Sequence, residues 1–142
     1  MPIEVSWAND HQPILLYRLQ DPWGWDDFYT ATDQGRSLRE GSGVQMIHII
    51  IDMTAVRQLP QGTLTHMGSM FRYGAPSTTN IQYVVFVGAS RLVHSVMQLL
   101  GKVNQAVNQK VQFAPSITEA LTLIEEIPQY QPRQRRKPGL RR

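Results

Sequence analysis

The chain has 142 residues, 42% of them hydrophobic and 18% charged, and no cysteine. That length fits one domain with its own core, the charge content is too low for a disordered chain, and the missing cysteines exclude disulfides, thiolate catalysis and Cys-ligated zinc. No run approaches the roughly 18 apolar residues of a spanning helix, and Met1-Pro2-Ile3-Glu4 lacks the pattern of a signal peptide, so a cytoplasmic protein without a membrane span is expected. The net charge of +3 is uneven. Arg133, Arg135, Arg136, Lys137, Arg141 and Arg142 crowd the last ten residues, while residues 1–132 hold eight basic and eleven acidic side chains.

Along the chain, residues 3–7 form a candidate short strand, and residues 14–19 a stronger one closed by Asp21-Pro22. A helix is expected over about 21–39, with Trp25, Phe28, Tyr29 and Thr32 at i, i+3, i+4 and i+7 on one face. Trp23 falls off that face, toward the surface. Gly41-Ser42-Gly43 ends the helix, glycine being suited to a left-handed C-terminal cap. The apolar, β-branched run 46–53 reads as a strand buried on both faces. A polar loop from 55 leads to a helix over about 61–73, with Leu64, Met67 and Phe71 inward, stopped by Gly74-Ala75-Pro76. Residues 81–87 form the next strand. A helix over 90–104 is expected to bury Leu92, Val96, Leu99, Leu100 and Val103, and 110–114 is a last short strand. Ser116-Ile117-Thr118-Glu119 is a capping box, opening a helix that buries Ile117, Ala120, Leu121 and Ile124 and ends before Pro128. Strands alternating with helices imply parallel strands and right-handed crossovers. The expectation is one α/β domain over residues 1–128, with a mostly parallel sheet of four or five strands and about four helices. Residues 129–142, rich in Pro, Gln and Arg, read as a basic disordered tail.

The order strand, strand, helix, then three strand–helix units resembles that of the STAS domain, named for sulfate transporters and anti-sigma factor antagonists. The antagonist pattern D-L-S-x-V-x-x-x-D-S-S-G-L ends the third strand of that family. Here Asp52, Met53, Thr54, Val56 and Leu64 fall on its Asp, Leu, Ser, Val and final Leu without a gap. The stretch from Phe113 through Ala120-Leu121 is similar to the family's last strand and its E-A-L helix. The resemblance spans residues 3–127 and points to the divergent bacterial STAS-like branch. It implies a single-domain STAS-like sandwich and a non-enzymatic signalling module that docks a protein partner, an anti-sigma factor or a kinase-like regulator, with no cofactor. The antagonists' phosphorylated Ser corresponds to Gly62, which has no hydroxyl, and Pro60 and Gln61 replace the preceding Asp and Ser. Thr63, one place later, is the candidate phosphate acceptor at a helix N-terminus; the plainer reading is that Gly62 and Thr63 open the helix.

Asp52 also stands where parallel sheets carry their ligands, at a strand's carboxyl end. Its carboxylate either shapes a ligand or partner site or accepts nearby amides and fixes the turn. Gly88-Ala89-Ser90-Arg91 could bind an anion, or Ser90 could simply cap the following helix. A receiver-type phosphoaspartate is excluded, because no acidic pair follows the first strand, which ends in Leu19-Gln20-Asp21, and no Lys follows the last, where Ala114-Pro115 come after Phe113. His11, His48, His66 and His94 show no metal spacing; His66 alone lies near Asp52 and Thr63 in sequence, and no nucleophile–base–orienter set surrounds any of the four. The candidate site is therefore Asp52, Thr54, Gly62, Thr63, His66, Ser90 and Arg91, with no metal and no catalytic residue. The alternative function is a small-molecule binder, for lipid or nucleotide, with a pocket among Asp52, Thr54, Ser90 and Arg91. The interaction-module reading puts the docking surface on the loop 54–62 and the helix 63–73, where Met67, Met70 and Tyr73 could adapt to a partner, and self-association as a homodimer belongs to the same reading. The tail offers salt-sensitive attraction to acidic partners but no specific nucleic-acid contact.

Overall fold

The computed structural model describes residues 2–63, 65–67, 69, 81–102 and 105–126. Five strands, β1 (Ile3–Trp7), β2 (Ile14–Gln20), β3 (Ile47–Ala55), β4 (Ile81–Val87) and β5 (Val111–Ala114), lie side by side in chain order. β1 runs antiparallel to β2 through a short hairpin, and β2, β3, β4 and β5 are mutually parallel. The protein is thus α/β with a mixed sheet. The helices are α1 (Trp25–Ser42), α2 (Arg91–Gly101), α3 (Gln105–Lys110) and α4 (Ile117–Glu125). A further helical stretch between β3 and β4 includes Thr63, Thr65, His66, Met67 and Ser69.

This strand order dictates where the helices go. Every crossover between parallel strands advances the same way across the sheet, so a common hand puts the crossover helices on one face. On that face Leu15, Tyr17, Leu19, Ile49, Ile51, Met53, Val84 and Phe86 meet Phe28 and Ala31 of α1, Met67, Val93 and Met97 of α2, and Val107 of α3. The alternate residues, Ile14, Leu16, Ile50, Val85, Val87 and Ala114, point the other way and are covered by Ala120 and Ile124 of α4. β3 is central and packs on both faces, which is why its run Ile47–Ile51 is buried without a break. Beside α4, the second face is open at Glu4, Ser6 and Arg18, and these positions are polar.

Local chemistry sets the element ends. Gly24 is the N-cap of α1; its backbone N–H donates to the Asp27 carboxylate at 2.9 Å. The helix begins at Trp25, after the cis Asp21–Pro22 bond, rather than near residue 21. It ends at Gly43 with φ 76°, the left-handed cap the glycine run anticipates. Ser116 caps α4 by accepting from the Glu119 N–H at 3.1 Å, and the Glu119 carboxylate takes the Ser116 hydroxyl at 3.2 Å rather than a backbone amide.

Three expectations are corrected. Trp23 is 9% exposed and packs edge-on against Trp25 at 5.1 Å, so it is core and not surface. On α2 the buried residues are Val93, Met97 and Gly101; Val96 and Leu100 are half-buried against the core, whereas Leu92 and Leu99 are 58% and 53% exposed. α2 carries apolar residues on two faces, and periodicity alone cannot say which one meets the sheet. The strand expected over 110–114 starts one residue later, preceded by the short helix α3 that the sequence reading lacks. Leu64, Met70, Phe71, Tyr73, Gly74-Ala75-Pro76, Val103 and the 129–142 tail lie outside the described residues. Among the described residues, no helix is long and apolar enough to cross a membrane.

Candidate functional site

The carboxyl ends of β2, β3, β4 and β5 meet at one edge of the parallel sheet, and Asp52 lies there in register with Arg18 and Val87. Its neighbours Ile51 and Met53 enter the core under α1, so alternation turns Asp52 to the opposite, partly open face. One carboxylate oxygen accepts from both the Thr54 N–H (3.0 Å) and the Thr54 hydroxyl (2.7 Å). The strand pairing slips by one residue beside this point, between Arg18 and Gln20. Asp52 thus fixes the conformation in which β3 leaves the sheet, and the Val56 N–H closes the turn onto the Met53 carbonyl at 3.0 Å. The neighbouring loop is tied across to the end of β2, where the Asp21 carboxylate accepts from the Arg57 N–H at 2.6 Å.

Gly88 brings the end of β4 against Thr54. It has φ 68°, and a Cβ there would lie 2.5 Å from Thr54 Cγ2. Only glycine fits both the backbone conformation and the contact. Two residues on, Ser90 caps α2, its hydroxyl oxygen 3.4 Å from the Val93 N–H. Arg91 follows it and is exposed. Asp52, Thr54 and the Gly88–Arg91 turn are therefore contiguous.

Thr63 and His66 belong elsewhere. They lie in the helical stretch that packs with Met67 on the α1 side of the sheet. Gly62, with φ 78°, opens that stretch and accepts the His66 N–H at 2.9 Å through its carbonyl. The Thr63 hydroxyl is half-buried and donates to the Pro60 carbonyl at 2.5 Å. The His66 ring stacks on Trp25 at 5.1 Å, nearly parallel, and its Nδ1 is 2.9 Å from the Tyr29 hydroxyl. His66 thus fastens its helix to α1, and the sheet separates it from the Asp52 carboxylate.

Trp23 and Trp25 mark a feature that sequence reasoning missed. With Leu19, Phe28, Ile51, Met53, Leu59, Thr63, Met67, Phe86 and Val93 they line a cavity of about 20 Å³ below the strand ends. Both indole N–H groups are buried and have no hydrogen-bond partner among the described residues. The signal was the aromatic cluster at the start of α1, but only the fold turns Trp23 inward. A space of that size holds about one water molecule. Among the described residues no group of three or more His, Asp or Glu is placed to hold a metal ion.

No family model, curated protein or solved structure matches this chain. The class that the fold defines is an α/β domain with a five-stranded mixed sheet, its polar strand ends organised by Asp52, Thr54 and Gly88.

Proposed function

We propose that this chain is a cytoplasmic, non-enzymatic interaction module of the STAS type, which docks a regulatory protein through residues 54–62 and the helix that Thr63 opens. The observation that carries this reading is the sheet order: an antiparallel edge strand followed by four parallel strands puts the Asp52-Met53-Thr54-x-Val56 segment at the end of the third strand. The exposure of Thr54, Arg57, Gln61, Thr65 and Ser69 around that segment supports it. Asp52 in this reading is a positioning residue, since its carboxylate is engaged by Thr54. At the position of the antagonists' phosphoserine stands Gly62, with a positive φ and no hydroxyl. Phosphorylation of Thr63 would first have to break its bond to the Pro60 carbonyl. The small-molecule alternative, with its pocket among Asp52, Thr54, Ser90 and Arg91, has less support, because the Asp52 carboxylate is engaged by Thr54 and the Ser90 hydroxyl by the Val93 N–H.

A photocrosslinking amino acid placed at Arg57 or Thr65, with Thr118 on α4 as control, tests this in the native cell. We expect an adduct of discrete mass from 57 and 65 and none from 118. Bare chain at all three positions, or equal labelling at all three, would overturn the reading.

A further inference from the structure

The charge of this chain is divided along its length. Residues 1–52 hold eight acidic side chains against three basic ones, and residues 53–118 hold five basic side chains and no acid. Because the strands lie in chain order, the fold turns that division into a polarity across the sheet. The acidic helix α1 packs on β1 at one edge. Toward the other edge α3 packs on β4 and β5, with α2 beside it. The three acids left, Glu119, Glu125 and Glu126, lie on α4 and its C-terminal cap, on the second face.

Both helices carry this charge on exposed stripes. On α1, Asp26, Thr30, Asp33, Ser37 and Glu40 recur at intervals of four and three residues, which keeps them on one side of the helix, and all five are exposed. The pairs that Asp33 and Glu40 make with Arg36 (3.0 Å) and Arg39 (4.0 Å) neutralise only part of the stripe, because α1 has four acids against those two bases. On α2, Arg91, Ser95, Gln98 and the capping Lys102 form an exposed stripe of the same kind, and the helix has no acid. The acidic stripe is about 21 Å long and the cationic one about 16 Å. Each has large apolar side chains exposed beside it, Tyr29 among the acids and Leu92 and Leu99 along the cations.

We propose that copies of this protein associate head to tail, the cationic stripe of α2 on one copy seating on the acidic stripe of α1 on the next. Charge complementarity selects that occupant. A symmetric contact of α2 with α2 faces cations with cations, and one of α1 with α1 faces carboxylates with carboxylates; like charges brought together disfavour both. The complement of each stripe is carried by the same chain at the opposite side of the sheet. A contact between two different surfaces leaves one of each unused at the ends, so the assembly grows with concentration unless it closes into a ring. The charged groups are exposed, so they orient the contact more than they strengthen it, and salt screens them.

The test is sedimentation velocity of the full chain over a range of concentrations, at low and at raised salt. We expect a sedimentation coefficient that rises with concentration beyond that of a dimer at low salt and falls back when salt is added. Arg91→Glu with Lys102→Glu should weaken the association by about tenfold or more, and so should Asp33→Lys with Glu40→Lys, each with an unchanged circular dichroism spectrum because the side chains are exposed. The milder Asp33→Asn with Glu40→Gln should weaken it in the same direction by less. An equimolar mixture of the two charge-reversed proteins should associate again, since each then meets its opposite on the other. A monomer at every concentration would overturn the proposal. So would a dimer that does not grow, association that survives reversal of the α1 acids, or a mixture that stays monomeric.

Discussion

Two buried side chains show how much depends on single positions. Tyr17 packs below α1, and burial pushes its phenol up to about 12, against a smaller opposing effect of Arg36. Its hydroxyl fits because residue 35 is glycine; a Cβ there would lie 2.2 Å from that oxygen. Gly35→Ala should destabilise the fold by about 1–3 kcal/mol through overpacking, read as a lower urea midpoint. Adding Tyr17→Phe should recover much of the loss, since the nearest atom is then Cζ at 3.1 Å; additive losses would argue against the clash. His48 is 1% exposed in β3, stacked on Tyr83, and burial lowers its pKa to about 4. The unfolded chain takes up this proton near pH 6.5 and the folded chain only near 4. Stability should therefore fall as pH drops through that window, by up to roughly 3 kcal/mol. Urea midpoints against pH should slope for the native chain and flatten for His48→Gln; parallel slopes would assign the acid sensitivity to other groups.

At the scale of elements, caps were more readable than faces. Ser116 and Ser90 were both legible as N-caps, because a hydroxyl before an apolar helix satisfies a free amide wherever the helix goes. Ser116→Ala should lower stability by about 1 kcal/mol. Ser90→Ala should lower it by less, its contact being longer at 3.4 Å against 3.1 Å. Thermal melts of the two variants would check that order, and equal shifts would contradict it. The inward face of α2 was readable only in part: Val96 and Leu100 pack against the core as expected, and Leu92 and Leu99 do not. Leu92, Val96, Leu99 and Leu100 form as good a helical stripe as Val93, Met97 and Leu100. The choice between them was made by how the β4–α2 turn at Gly88 and Ser90 aims the helix. The strands were clearer: β4 runs over the residues its apolar pattern marks, and β3 extends two residues past Met53 because Asp52 and Thr54 keep the chain extended.

For the whole molecule, one polar contact ties the first hairpin to the last described helix. Gln12, in the β1–β2 connection, is 3% exposed and donates to the Glu125 carboxylate at the end of α4 at 2.7 Å, while Asn9 donates to its side-chain oxygen. The hairpin and the last helix are 113 residues apart in sequence and meet through this amide. Gln12→Ala leaves the carboxylate and the Asn9 amide without that partner, and a loss of about 1–3 kcal/mol is expected. Hydrogen exchange should show it as faster opening of both β1 and α4. Protection lost in only one of them would mean that the contact does not couple the two.

The sequence by itself determined the α/β class, the succession of strands and helices along the chain and the punctuation between them. These depend on local preferences: apolar β-branched runs, glycines able to take positive φ, and hydroxyls before helices. It also pointed to the end of β3, because an acidic residue closing a buried strand is legible without a fold. The tertiary structure decided that β1 pairs antiparallel at the edge, that Trp23 is buried, and which side of α2 meets the sheet. It also put Asp52 and His66 on opposite faces, although only fourteen positions separate them in the sequence. Sequence proximity says nothing about side because a strand turns alternate residues to opposite faces, and only the packing of β3 against both α1 and α4 fixes which residues go to which.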